Sequence, residues 1–433
     1  MKRAFYLLAF VLFCIFSLSK PVFAANWVEL QGVEKKGSEP TLKIIGFIQP
    51  EWQKTDGTKI QDGPWQGQNA VFNVIRPRLE DNSDGSLFRA RLAAKGRINQ
   101  YINYFTMVDA GNNALTRNVD TLLIITDASL TFDYIGPKIR IGQFKTPGSE
   151  EAMQSKYDYI NFALSTNQLV LERYYDGDGS DPQNKNAPNG AFGAFRDIGI
   201  ELFDTYKRDE WEHTWAAMVG NGNGIARSDN DSHKDKYLYW SSEWVFSGKG
   251  PQRDGWKLFG WWQDGKRTLT EAGAGTYDRT RHGLGTTFKK EKWRSTIEWI
   301  NAGGMILSGT DGAAVPGSSN NANTAISSFN LATDDKAEGW WADVSYRLTK
   351  NTELLLRYDV LNRTTNIAAN ERQSNNITLG YNWFFDKKSK VMFNYEYLNS
   401  DAPNLDSQSV ANNILDGVDN RLSVQVFYFF RLH

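Results

Sequence analysis

Histidine, the side chain that most often serves as a general acid or base near neutral pH, is scarce in this sequence. The four histidines are His213, His233, His282 and His433. A hydrolase built on a serine nucleophile would need one of them beside an activated serine, and the spacing along the chain places no such pair. We therefore expect no catalysed reaction and no catalytic residue.

Acidic side chains alternate with glycine and serine between Asp176 and Asp181, as in the first half of a calcium-binding loop. The twelfth position of such a loop supplies a bidentate glutamate, and here that position is Ala187. We interpret the segment as a solvated loop, with an adventitious Ca²⁺ site as the alternative. The single cysteine, Cys14, excludes multi-thiolate metal sites, and we expect no cofactor.

Basic side chains recur at alternate positions in one stretch of the chain. They are Arg89, Arg91, Lys95 and Arg97. Successive side chains of a β-strand point to opposite faces, so a strand here would place all four on one face. Four cations along a narrow passage with low-dielectric walls would raise the local concentration of anions. The alternative is ion pairing with acids on neighbouring segments, and net anion preference stays open. The candidate partners are Asp109, Asp127 and Asp133.

The first residues of the chain indicate export. Lys2 and Arg3 precede an apolar stretch over 4–18, and Val22-Phe23-Ala24 offers the small residues that a signal peptidase reads. We expect a signal peptide over 1–24, cleaved between Ala24 and Ala25, and one domain over 25–433. Since 25–433 contains no apolar run long enough for a transmembrane helix, the exported chain is either soluble or a membrane β-barrel.

Alternation with period two favours the barrel. About sixteen candidate strands extend from 41–53 to 418–430, and each has one polar and one apolar face. Short connections such as Asn99-Gln100 alternate with long ones such as 303–337, which is the arrangement of an outer-membrane barrel with short periplasmic turns and long extracellular loops. We predict an all-β fold, a transmembrane antiparallel barrel.

Aromatic residues near the ends of the candidate strands agree with two interfacial girdles. On one side they are Trp211, Trp256, Trp293, Trp383, Phe385, Tyr428 and Phe430, and on the other Trp262, Trp299 and Trp340. A barrel of about sixteen strands leaves an aqueous channel inside. The 49 basic and 50 acidic residues are spread along the chain, so we expect no nucleic-acid partner.

Several short motifs resemble the phosphate-selective porin O and P family. They are Leu87-Phe88-Arg89-Ala90-Arg91-Leu92 followed by Gly96 and Asp109, Gly142-Gln143-Phe144-Lys145-Thr146-Pro147 followed by Glu172-Arg173, Arg196-Asp197-Ile198-Gly199-Ile200, and Asn420-Arg421-Leu422. The resemblance covers nearly all of 25–433 and is densest over 86–203. The Gly-Gln-Phe-Lys element is its most specific part.

This resemblance implies a sixteen-stranded homotrimeric channel in the outer membrane, in contact with its lipid, through which small anions such as phosphate diffuse. It also implies a loop that folds into the bore, for which 146–191 is the candidate and which we call the constriction loop. Carried over by position, Arg89, Arg91, Lys145 and Arg173 are the basic pore residues, and Lys95 joins them from the alternating stretch.

Two other interpretations stay open. One is a general, weakly selective porin, because the constriction loop contains acidic as well as basic residues. The other is a plugged barrel that serves as a structural or adhesive protein. Burial of the loop's apolar side chains against the barrel wall would favour a constriction over a plug. These side chains are Phe162, Leu164, Leu169 and Leu171.

Overall fold

A computed structural model describes most of the chain. The described residues are 26–34, 40–56, 59–63, 66–67, 71–72, 83–111, 123–154, 158–172, 195–225, 229–269, 275–307, 313–314 and 331–432. The expected signal peptide, the candidate pore residue Arg173 and the candidate calcium loop Asp176–Asp181 lie outside these residues.

Sixteen antiparallel strands form one closed barrel, in which each strand pairs with its neighbours in the chain and the first pairs with the last. Their bounds are Thr41–Thr55 (β1), Ser83–Arg97 (β2), Ile102–Asp109 (β3), Ile124–Phe132 (β4), Lys138–Lys145 (β5), Arg196–Arg208 (β6), Trp211–Gly220 (β7), Asp235–Ser247 (β8), Asp254–Leu269 (β9), Gly275–Lys290 (β10), Trp293–Gly303 (β11), Lys336–Arg347 (β12), Thr352–Arg363 (β13), Arg372–Phe384 (β14), Lys390–Asp401 (β15) and Arg421–Leu432 (β16). The predicted fold class and strand number are confirmed.

The strands alternate because their two faces meet different surroundings. Along β15, Met392, Asn394 and Glu396 are buried on the inner face, whereas Phe393 and Tyr395 are exposed on the outer face. An outer face that meets lipid takes apolar and aromatic side chains, and an inner face that surrounds a bore takes polar ones. The same division holds on β2, where Arg89 and Arg91 are buried and Leu92 is 48% exposed.

Connections at one end of the barrel are short. Two of them, 209–210 and 291–292, contain only two residues, and Asp209 and Glu291 adopt positive φ angles of 54° there. Connections at the other end include the long segments 56–82, 146–195 and 304–335. In outer-membrane barrels the short turns face the periplasm, and we call this the short-turn end.

Aromatic residues lie on the outer face near both ends. Trp211, Trp256 and Trp293 flank short turns and are 37%, 39% and 54% exposed. Toward the opposite end, Trp262 and Trp340 are each 37% exposed. Amphipathic rings at these two levels match the headgroup regions of a bilayer, as predicted from the sequence.

Helical segments are short and lie outside the barrel strands. They are Trp27–Leu30 (α1), Glu150–Met153 (α2), the π-helix Thr166–Val170, the 3₁₀-helix Ala368–Asn370 and Val410–Leu415 (α3). Two-residue strands in the loops pair as Val71–Phe72 with Ala313–Ala314 and as Ile306–Leu307 with Leu331–Ala332. Within the described residues, no helix has the length and apolar character needed to span a membrane.

Candidate functional site: the bore and its constriction loop

The described part of the constriction loop packs against the inner wall of the barrel through its apolar side chains. Leu164 and Leu169 are buried in one cluster with Ile300 of β11 and Leu361 of β13. Burial of these side chains contributes about 25 cal/mol of stabilising free energy per Å² of apolar surface covered. This burial favours a loop that lies along the wall and narrows the bore.

The remaining two apolar side chains pack at the root of the loop. Leu171 is buried in a second cluster with Phe195, and Phe162 packs against this cluster. The rings of Phe162 and Phe195 meet edge to face with centroids 5.1 Å apart, which is a favourable aromatic geometry.

A first polar anchor joins the loop to β9 and β11. The Ser149 hydroxyl and the Glu150 N–H both donate to the Glu298 carboxylate, at 3.0 and 3.3 Å. The indole of Trp261 donates to the same carboxylate at 2.8 Å. The Glu150 carboxylate in turn accepts from Lys257 Nζ at 2.6 Å. The contact between Lys257 and Glu150 is a charge-assisted hydrogen bond, which is stronger than a neutral one, and this anchor fixes the start of α2.

A second polar anchor joins the loop to β13 and β15. The Leu164 N–H donates to Asp359 Oδ1 at 2.9 Å, and Asn161 Nδ2 donates to Glu396 Oε2 at 2.7 Å. Glu151 of the loop accepts from Arg357 Nη1 at 3.2 Å. Three carboxylates of the wall, on β11, β13 and β15, thus accept hydrogen bonds from the loop.

The carboxyl group of Glu151 has a raised pKa in the attached loop. Burial raises the pKa of Glu151 to about 7, and the Arg357 guanidinium acts in the opposite direction. Both Glu151 oxygens lie within 3.2 Å of the Ala163 nitrogen, so the same side chain also links α2 to the later part of the loop.

A third anchor holds the far end of the described loop. Glu172 is ion-paired with Arg267 of β9, and Arg267 also binds Asp235 of β8 at 2.8 Å. Arg281 of β10 donates to the Leu169 carbonyl at 2.7 Å. The loop is therefore tied to strands on several sides of the wall, which favours a fixed constriction.

A group of basic and acidic side chains lies on the inner wall between β2 and β6. Arg91 pairs with Asp109 at 2.8 Å, and Arg196 pairs with Asp127 at 2.9 Å. The patch contains four basic and two acidic side chains, which the strand pairing places next to one another. We call it the basic patch, and its members are Arg89, Arg91, Asp109, Asp127, Lys145 and Arg196.

The candidate pore residues occupy different surroundings. Arg89 and Arg91 are each 7% exposed on the inner face, where Arg89 donates to Gln49 at 3.1 Å. The side chain of Lys95 is 21% exposed and pairs with Glu34 at 3.0 Å. Lys145 Nζ donates to the carbonyls at the end of α2, with 3.0 Å to Ala152 and 2.9 Å to Gln154. The structure brings Arg89, Arg91 and Lys145 together, places Lys95 nearer the short-turn end, and does not describe Arg173.

Several residues of this site carry little signal in the sequence. Arg196 belongs to one of the family-like motifs, but only the pairing of β6 with β5 places it beside Lys145. Gln49 and Glu34 carry no signal, because neither lies in a recognisable motif. Within the described residues, no group of three or more His, Cys, Asp or Glu side chains could hold a metal ion.

Fold and bore together define an outer-membrane β-barrel of the porin class. Residues 304–430 match the family model of the phosphate-selective porin O and P family, so the predicted resemblance is confirmed over this C-terminal part of the chain, whereas the family-like motifs over 86–203 lie outside the match. No curated protein matches the chain in sequence.

Solved porin structures share this fold. An anion-selective porin from Comamonas acidovorans is 11% identical, with a TM-score of 0.52 over 91% of this chain and 100% of that one. OmpF of Salmonella typhi in complex with daunomycin is 13% identical, with a TM-score of 0.54 over 92% and 100%. The trimer form of OmpT of Vibrio cholerae is 10% identical, with a TM-score of 0.52 over 90% and 99%.

Proposed function

We propose that this outer-membrane channel conducts small anions by passive diffusion, with a weak preference over cations, and that it catalyses no reaction. The observation that carries the proposal is the charge of the basic patch, in which four basic side chains face two carboxylates. On the opposite side, wall carboxylates are bound by the constriction loop. The family match over 304–430 supports anions, with phosphate as one candidate.

The preference is expected to be weak because most cations of the bore have a carboxylate partner. Arg91 pairs with Asp109, Arg196 with Asp127, and Arg140 with Glu201 at 2.7 Å. This pairing favours a second candidate function, that of a general porin with little selectivity between anions and cations. Weak binding also suits conduction, which requires release of the solute as much as its capture.

The test is the reversal potential of the purified channel in a planar bilayer under a KCl gradient. Arg91→Gln should shift it toward cation preference. Arg91→Gln with Asp109→Asn removes one charge of each sign and should stay closer to the wild type. Lys266→Gln is a matched control, because Lys266 is 44% exposed and pairs with Asp278 away from the patch. An unchanged reversal potential in a folded Arg91→Gln barrel would reject the basic patch as the source of selectivity.

Phosphate binding is tested in the same bilayer. If phosphate binds in the bore, millimolar phosphate will reduce the chloride current of the wild type, and Arg91→Gln will weaken that block. A chloride current that phosphate leaves unchanged would limit the proposal to a weakly selective anion channel.

A homotrimer is the proposed assembly, in keeping with the trimer form of Vibrio cholerae OmpT. Light scattering of the detergent-solubilised protein after size-exclusion chromatography measures the protein mass. Three copies of the chain would support the proposal, and a single copy would contradict it.

A further inference from the structure

A segment before the first strand lies inside the barrel. Residues 26–34, which we call the N-terminal strap, contact inner-face side chains at the short-turn end. Their partners come from several strands of the half of the barrel that runs from β1 to β8. These partners are Lys43 of β1, Lys95 of β2, Asn103 of β3, Lys138 and Arg140 of β5, and Ser241 of β8.

The start of the strap is fixed to the wall. Asn26 caps α1 by accepting from the Val28 N–H at 3.0 Å, and its amide nitrogen donates to Ser241 Oγ at 3.0 Å. Val28 is 1% exposed in the same apolar cluster as Phe203. The Val28 carbonyl accepts from Arg140 Nη2 at 2.8 Å. The strap is thus a packed part of the bore.

The middle of the strap passes close to β3. Gly32 has a φ of 126°, a conformation that side chains rarely adopt. A Cβ atom at this position would lie 3.1 Å from Cβ of Phe105. The backbone conformation favours glycine at this position, and a larger residue would press against Phe105.

Both acidic side chains of the strap are bound to wall lysines. Glu29 pairs with Lys138 at 2.8 Å, and Lys138 also holds Asp204 of β6 at 2.9 Å. Glu34 lies between Lys43 and Lys95, with 3.0 Å to Lys95. Burial would raise the pKa of Glu34, but the two lysines hold it below its ordinary value.

We infer that the N-terminal strap is a specificity-determining element, whose carboxylates neutralise the cations at the short-turn mouth and so reduce the anion preference of the channel. The inference deepens the proposed function and rests on it. Without the strap, Lys43, Lys95 and Lys138 would face the mouth of the bore. Among the described residues, Asp204 would remain as an acidic partner of Lys138. With the strap in place, the three lysines are paired with three carboxylates, those of Glu29, Glu34 and Asp204. This end of the bore therefore contributes little to the attraction of anions.

The test replaces the strap carboxylates by amides of the same shape. Glu34→Gln should raise the anion-to-cation permeability ratio about fourfold, because one unit charge about 10 Å from the ion path in water changes the local concentrations of anions and of cations about twofold each, in opposite directions. Glu29→Gln should act in the same direction, and the two together more strongly. Glu210→Gln is the matched control, because Glu210 is an exposed acid in a turn at the same end.

The outcomes separate the strap from the basic patch. If Glu29→Gln/Glu34→Gln leaves the reversal potential unchanged while Arg91→Gln shifts it, the strap inference is wrong and the proposed function stands. If the strap variants shift it and Arg91→Gln does not, the basic patch is rejected and the strap stands. A folded barrel that conducts no ions in any variant would overturn both.

A chemical version of the test controls for folding. The one cysteine of the chain, Cys14, lies in the expected signal peptide, so Glu34→Cys would provide a single reactive thiol. An anionic methanethiosulfonate reagent should return the permeability ratio toward the wild type, and a cationic one should raise it further. Equal reversal potentials after the two reagents would overturn the inference.

Discussion

The Ser149 hydroxyl donates a 3.0 Å hydrogen bond to Oε2 of Glu298, and this bond joins the constriction loop to strand β11 across 149 positions of the chain. The same carboxylate also receives the Glu150 N–H and the Trp261 indole N–H. Glu298 is 0% exposed, so these donors take the place of water at its carboxyl group. One wall carboxylate therefore fixes the first turn of the loop.

Glu298→Ala should release this part of the loop and increase the single-channel conductance. The substitution removes the acceptor of three hydrogen bonds and leaves buried donors unpaired, at a cost of about 1–3 kcal/mol for each. Single-channel recording measures the conductance, and heat-induced unfolding in detergent measures the stability. Glu210→Ala is the control. If Glu298→Ala has the wild-type conductance, another anchor suffices to hold the loop.

Lys145→Met tests whether this lysine positions the loop or acts on ions directly. Lys145 Nζ donates to three backbone carbonyls at the end of α2, those of Ala152, Met153 and Gln154. We expect the variant to be cleaved faster by proteases within the loop, because these carbonyls lose their donor. Limited proteolysis measures this effect and the reversal potential measures the charge effect. A changed reversal potential without faster cleavage would assign Lys145 to ion selection alone.

The attachment of the loop should depend on pH through Glu151. Its pKa is about 7 in the attached loop, mainly because of burial, against an ordinary value of 4.5. Between these values the attached loop binds more protons than a released loop, so attachment is strongest below pH 4.5 and weakens as the pH rises through 7. Conductance fluctuations should therefore increase from pH 5 to pH 7.5 and then level off.

Glu151→Gln is the control for this dependence, since the amide cannot titrate. Its fluctuations should stay constant over the same range, near the level of the wild type at low pH. The same rise with pH in the variant would mean that another group controls the attachment.

A charged side chain on the outer face should destabilise the barrel more, the deeper it lies in the bilayer. Leu284 is 63% exposed near the middle of β10, and Trp293 is 54% exposed beside a short turn. Leu284→Arg should cost about 2–4 kcal/mol, and Trp293→Arg about 0–1 kcal/mol, because only the first places arginine near the bilayer midplane. Urea unfolding in lipid vesicles measures both. Equal losses would contradict a membrane position in which Leu284 lies deeper than Trp293.

The strands could be predicted from the sequence because their physical cause is local. Lipid outside and a polar bore inside impose a period of two on every strand, as in Phe393, Asn394 and Tyr395 of β15. The lengths of the turns give a second local signal, because short turns at one end and long loops at the other are typical of outer-membrane barrels. Both signals depend on residues that are close together in the chain, so the closed barrel of sixteen strands could be predicted from the sequence.

The path of the constriction loop could not be predicted from the sequence. Its anchors join positions far apart in the chain, such as Leu164 with Asp359 at a separation of 195 residues. No periodicity indicates such pairs. The sequence of the loop also does not show whether its acidic and basic side chains bind the wall or water. Arg91, Lys145 and the candidate acidic partner Asp109 could be proposed from the sequence, but the carbonyl of Gln154 as a partner of Lys145 follows only from the folded chain.

The N-terminal strap also restricts the order of assembly. Asn26 is hydrogen-bonded to Ser241, which follows it by 215 residues in the chain. Glu34 is hydrogen-bonded to Lys43, which follows it by only nine residues. Contacts with long sequence separation form late, because the intervening chain must first be ordered. The strap can therefore dock at its Glu34 end as soon as β1 and β2 have paired, but its Asn26 end must wait until β8 is in place. The first described residues of the chain are thus among the last to find their final position.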